Sequence, residues 1–331
     1  MDLDAYTAAH SADWDELSRL AKKRRLDGRE ADRLIELYRA GAADLSAIQT
    51  SAGSTAVGDR LSLALASARL RFTGAAVGLL AGVPRFFALQ LPAALYRIRW
   101  LVLAIALITT VVATLFALWI TGNPEVLRNL GADSDLRRYA EHDFIDYYSH
   151  NPAASFAGQV WTNNAWIAAQ CIAFGITGIY VPFIVLQNAV NVGVAAGVMF
   201  SYGRGDVMFS YILPHGLLEL TSVFVAAAAG LRIFWAWIAP GARTRSAALA
   251  EDGRALFTVA VGCAISLFVS GLIEGFVTPS GLPVWAKIGI GATALAAYLY
   301  YMLVVGRRAV RLGETGDLDE FEAGARSVVA G

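Results

Sequence analysis

Charge is what this chain has least of. Asp, Glu, Lys and Arg make up 16% of its 331 residues, against about 25% in an average soluble domain. The scarcity is regional. Residues 1–99 hold about half of the Lys and Arg, whereas 155–203 contain no Asp, Glu, Lys or Arg. That distribution excludes a single water-soluble globule and points to a polytopic membrane protein with a polar N-terminal region. Lys plus Arg and Asp plus Glu balance at 27 each, so no net positive charge argues for nucleic acid as a partner. The two cysteines, Cys171 and Cys263, both fall in apolar runs, which excludes a disulfide framework and a CxxC metal pattern. The opening MDLDAYTAAHSADWDEL lacks the basic flank and apolar core of a signal peptide. No Gly-rich phosphate loop, GxSxG elbow or HExxH is present, and no cofactor is indicated.

What is present is helical periodicity followed by long apolar runs. Trp14, Leu17 and Leu20 form a stripe after the potential cap Ser11, and Leu34, Leu37, Tyr38 and Leu45 form another. SAGSTAVG, at 51–58, reads as a loop. Residues 84–99 mix Phe86, Phe87, Leu91 and Tyr96 with Arg85, Arg97 and Arg99, which suits a helix in the membrane interface or a packed helix of the soluble domain. Spans are expected at 100–120, 159–178, 181–201, 212–238, 255–273 and 284–305, most near the roughly 20 residues a bilayer requires. The expected fold is an all-α, polytopic membrane helical bundle of about six spans. Its regions are a cytoplasmic and interfacial helical part at 1–99, a bundle at 100–306 with an extracytoplasmic segment at 122–158, and a cytoplasmic tail at 307–331. With six spans the clusters Arg97/Arg99, Arg243/Arg245/Arg254 and Arg307/Arg308/Arg311 fall on one side. The positive-inside rule makes that side, and both termini, cytoplasmic. The turn GITGIYVP carries no charge, so 159–201 either crosses fully or re-enters.

Polar groups at membrane depth need partners or a function. Asn163 and Asn164 lie early in the second span, and Asn188 and Asn191 share a face of the third. His215 and Glu219, four apart in YILPHGLLEL, share a face of the fourth, with Pro214 expected in its first turn. Glu274 ends the fifth. By the topology these residues lie toward the outer face, and one polar cluster is expected. It either cross-links the bundle or forms a site with His215, Glu219 and Glu274 as catalytic candidates. In the outer segment, His142, Asp146 and His150 are spaced four and four, the residue types of a metal site, although a solvated amphipathic helix explains them as well. Gly193 and Gly197 form a GxxxG for close helix approach, within the chain or in a homodimer.

WTNNAWIAAQCIAFGITGIYVPFIVLQNAVNVGV, LPHGLLELTSVFVAAAAGLRI and LIEGFVTPS together resemble the stage II sporulation protein M family of bacterial membrane proteins. The resemblance runs over roughly residues 10–310 and implies a multi-pass protein of the bacterial inner membrane. The family's best understood member is a scaffold that gathers peptidoglycan-degrading partners, which implies a scaffold or accessory role in the cell envelope. The expected partners are membrane lipids, other envelope proteins and a second copy of the chain. Two alternatives remain from the residues themselves: an intramembrane hydrolase or transferase, and a transporter or lipid-handling protein, each using the polar cluster around PHGxxE.

Overall fold

The computed structural model describes residues 3–23, 26–52, 55–72, 79–148 and 153–317. These residues contain helices and turns without strands, in two compact units that divide between Val83 and Pro84.

The first unit is three helices, α1 (Leu3–Lys22), α2 (Gly28–Ala52) and α3 (Ala56–Phe72). Their apolar positions recur every three to four residues, so each helix has one face to bury. Leu17 and Leu20 of α1, Leu34, Leu37 and Ile48 of α2, and Leu61 and Leu65 of α3 fill a single core. Asp27 and Glu30 start α2 with a reciprocal capping box: Glu30 N donates to Asp27 Oδ1 at 2.9 Å and Asp27 N to Glu30 Oε2 at 3.3 Å. Asp44 of α2 accepts from Tyr6 Oη at 2.8 Å and Trp14 Nε1 at 2.9 Å, joining α1 to α2.

The second unit is the bundle. It comprises α4 (Leu91–Arg97), α5 (Arg99–Gly122), α6 (Ala153–Ala173), α7 (Tyr180–Ser201), α8 (Gly205–Ile238), α9 (Arg245–Val277) and α10 (Val284–Arg311). Five of these, α5 and α7 to α10, are long and apolar enough to cross a membrane. The sixth expected span, α6, forms as a helix but is not among the five. Its Gln159, Thr162, Asn163, Asn164 and Gln170 dilute its apolar character. It nonetheless runs the depth of its neighbours. Ala157 O lies beside Gly271 of α9, and Cys171 O beside Gly230 of α8. Ser270 is bonded to His215, so α6 covers the stretch from His215 to Gly230, about 22 Å at 1.5 Å per residue. A tight 3₁₀ turn at Gly175–Thr177 and a left-handed Gly178 (φ 70°) then reverse the chain into α7.

Helix α8 is the central element, touching α5, α6, α7, α9 and α10. Its Val225, Ala226, Ala227, Ala228 and Ala229 are at most 3% exposed, as expected for a helix apolar on all sides. It begins at Gly205, earlier than expected from the apolar run. Asp206 in its first turn favours the helix dipole, and Met208 is buried. Pro214 therefore sits in the helix interior, not in the first turn, and denies Ser210 O its helical N–H partner. At that point α10 comes close through Gly291, where a Cβ would stand 2.1 Å from Pro214 O.

The outer surface of α5 is apolar. Leu103, Leu107, Leu115 and Leu118 are exposed, as are Trp100 and Trp119 near its ends. The two indoles are about 28 Å apart along the helix, the thickness of a hydrocarbon core with aromatic belts. Residues 84–99 follow neither expected arrangement: they belong to the bundle unit and not to the three-helix unit, with Leu91, Ala93 and Leu95 of α4 buried, because their apolar face packs on the bundle core. Gly193 and Gly197 pack on α5 of the same chain, a Cβ there meeting Ala113 O at 2.6 Å and Ile120 Cβ at 2.7 Å. The GxxxG thus serves the chain's own packing, and the expectation of a homodimer loses that ground. At the end of the bundle carrying the α8–α9 loop, Asp252 accepts from Arg232 at 3.2 Å and Arg243 at 3.1 Å. Residues after α10 fold back there, with Thr258 Oγ1 donating to Gly316 O at 3.0 Å.

Candidate functional site

The opposite end of α8 carries His215 and Glu219 one turn apart. Helix α9 ends in a widened π-helical turn, Ile273–Val277, which carries Glu274. Its register shows in Thr278 N donating to Ile273 O, five residues back, at 3.0 Å. Such turns re-aim side chains and are frequent at functional sites. One ligand atom from each of His215, Glu219 and Glu274 lies within 4.8 Å of the other two. His215 Nε2 and Glu274 Oε1 are 3.7 Å apart. His215 is 5% exposed and Glu274 3%.

The surroundings fix the imidazole. His215 Nδ1 is 3.3 Å from Thr278 Oγ1, and Ser270 Oγ donates to His215 O at 3.0 Å. Thr278 Oγ1 itself donates to Ile273 O at 3.4 Å. Glu274 Oε2 is buried with no hydrogen-bond partner. Lys287 of α10 is nearby but directs its ammonium to Thr278 O at 2.7 Å. Among the described residues no Lys or Arg forms an ion pair with Glu219 or Glu274. The Tyr148 ring, from the segment between α5 and α6, stacks toward the imidazole at 5.9 Å. Burial first, and then the Glu274 charge, holds the Tyr148 phenol well above the usual phenol range.

The other candidates lie elsewhere. Asn163 and Asn191 are exposed on the bundle surface, Asn164 and Asn188 are half-buried, and none hydrogen-bonds to the histidine or either carboxylate. The reason is the position of the small residues. Ala168 and Cys171 of α6, and Val181, Ala189 and Gly193 of α7, occupy the buried faces, because they permit close backbone approach. In the segment between α5 and α6, His142 is exposed and Asp146 half-buried, while His150 falls outside the described residues. Among the described residues the metal-like grouping is the one at 215, 219 and 274. Sequence reasoning missed Ser270, Thr278, Lys287 and Tyr148. The first two stand four residues either side of Glu274, on its helical face, and that spacing was readable. Nothing local marks Lys287 or Tyr148.

Fold and cluster together define a polytopic all-α membrane protein with, among the described residues, one largely buried His–Glu–Glu group. Residues 101–279, over half of the chain, match the family model described as Stage II sporulation protein M. The chain belongs to that family, and the match includes His215, Glu219 and Glu274. Residues 4–74, in the three-helix unit, match a domain of unknown function (DUF8413). No curated protein and no solved structure is significantly similar to the chain.

Proposed function

We propose that the chain is a membrane scaffold or accessory protein of the bacterial cell envelope, seated in the inner membrane with its termini cytoplasmic and the His215 end of the bundle outside. One observation carries the reading. Gln187 and Asn191 of the apolar α7 are exposed on the bundle surface, as is Asn163 of the more polar α6. Gln187 and Asn191 are four apart on one face, in the middle of α7. Amides facing lipid are unfavourable, and amide pairs across helices are a usual adhesive between membrane helices. The partner this surface fits is a membrane protein whose spanning helix presents amide or hydroxyl groups. The buried centre of α8 further supports a framework in preference to a transport path.

The test is photo-cross-linking of the full-length chain in native membranes from positions beside Asn191. Recovery of one envelope membrane protein, lost in Asn191→Leu and Gln187→Leu while the bundle stays folded, supports the reading. Recovery of the chain alone would replace it with self-association.

A second reading is favoured by the convergence of His215, Glu219 and Glu274. In an intramembrane hydrolase or transferase, a carboxylate would act as general base and His215 as its acid partner.

A further inference from the structure

We propose that His215, Glu219 and Glu274 bind one divalent first-row transition ion, zinc by ligand type, in the interior of the bundle.

The proposed site takes the arrangement in which the one hydroxyl proton of Thr278 goes to Ile273 O, 3.4 Å away. The Thr278 oxygen is then an acceptor for His215 Nδ1–H. In a neutral imidazole that leaves the lone pair on Nε2. This lone pair faces Glu274 Oε1, also an electron-rich atom, at 3.7 Å. The separation is too long for a hydrogen bond. Two lone pairs held face to face in a buried site repel unless a cation lies between them.

The spacing fits a metal ion. Two ligands about 2.1 Å from a tetrahedral zinc are about 3.4 Å from each other. The observed 3.7 Å and the 4.8 Å bound contract onto such an ion with movements of under about 1 Å per side chain. One imidazole and two carboxylate oxygens are zinc ligand types, and three protein ligands leave a fourth position for water or a substrate oxygen.

The surroundings agree. A ligating histidine usually donates its other ring N–H to a polar partner, the part Thr278 takes. Two carboxylates in a dry interior are neutralised by protons or by a cation, and no Lys or Arg among the described residues pairs with either. Glu274, 3% exposed, still has an oxygen without a hydrogen-bond partner. Such an atom costs stability unless something binds it. A protein-only cross-link would be expected to close these contacts to hydrogen-bond length.

The test uses the full-length chain, purified in detergent with a histidine-free tag and equilibrated with zinc. Elemental analysis should find about one zinc per chain in the wild type and under about a tenth as much in Glu274→Gln and Glu219→Gln. Cobalt substitution should give a visible ligand-field spectrum, absent from both variants. Gel filtration checks that the variants are folded. On the wild type alone, chelation should lower the Tm and zinc should restore it. Wild-type protein with no stoichiometric metal and no cobalt spectrum overturns the proposal, as does metal retained in both variants. The scaffold reading survives either result, because partner capture tests it separately.

Discussion

His215 Nε2 and Glu274 Oε1 face each other at 3.7 Å across the α8–α9 contact. The pairing depends on two departures from regular helix. Pro214 interrupts the hydrogen bonding of α8 one residue before His215, and the π-helical turn places Glu274 at the end of α9. One residue before His215, the backbone of α10 comes close to Pro214 O at Gly291.

That approach makes Gly291 intolerant of a side chain. A Cβ there would stand 2.1 Å from Pro214 O, a backbone atom. Gly291→Ala should lose about 1–3 kcal/mol by overpacking. Gly289, two residues earlier, has nothing within 4 Å of an added Cβ. Gly289→Ala should therefore be neutral or stabilise by up to about 1 kcal/mol. Thermal unfolding of both variants in detergent checks the contrast, and equal behaviour would contradict it.

Gly193→Leu should act inside one chain. Ala113 O and Phe116 Cβ lie 2.6 and 2.7 Å from an added Cβ. The expected result is a lowered Tm with no change in oligomeric state by light scattering.

The ion pairs at the other end of the bundle should differ with burial. The Asp252 side chain is 3% exposed and serves both Arg232 and Arg243. Asp252→Asn should lower stability by about 1–3 kcal/mol. Arg137, exposed and 3.7 Å from Asp133, should cost less than about 0.5 kcal/mol when changed to Ala. Salt should weaken only the second pair appreciably.

Much of this architecture was readable because bilayer thickness and helix periodicity leave little choice. The apolar runs placed α5 and α7 to α10, and four-residue spacing put His215 and Glu219 on one face. The start of α8 was not readable, because Pro214 looks like a first-turn residue and Asp206 and Ser210 interrupt the apolar run before 212. The asparagines misled for another reason. Polarity at membrane depth signals a need for a partner, but not whether that partner lies in the same chain. Thr278 was open to the same spacing argument that found Glu219. Tyr148 reaches the site only through tertiary packing.

Sidedness is checked by labelling a chain in which Cys171 and Cys263 are replaced. The proposed orientation predicts that cysteines at Asp135 and Gly281 react with an impermeant maleimide in intact cells, and that one at Ser246 reacts only after permeabilisation. Protection at 135 would contradict the topology.

The central claim is that the α8 and α9 sides of the site work as a unit. A double-mutant cycle on His215→Gln and Glu274→Gln, read by unfolding free energy in one detergent, tests it most directly. The account predicts that each single change destabilises and that the double change adds little beyond the larger, giving a coupling of about 0.5–3 kcal/mol. Strict additivity of the two effects would contradict it.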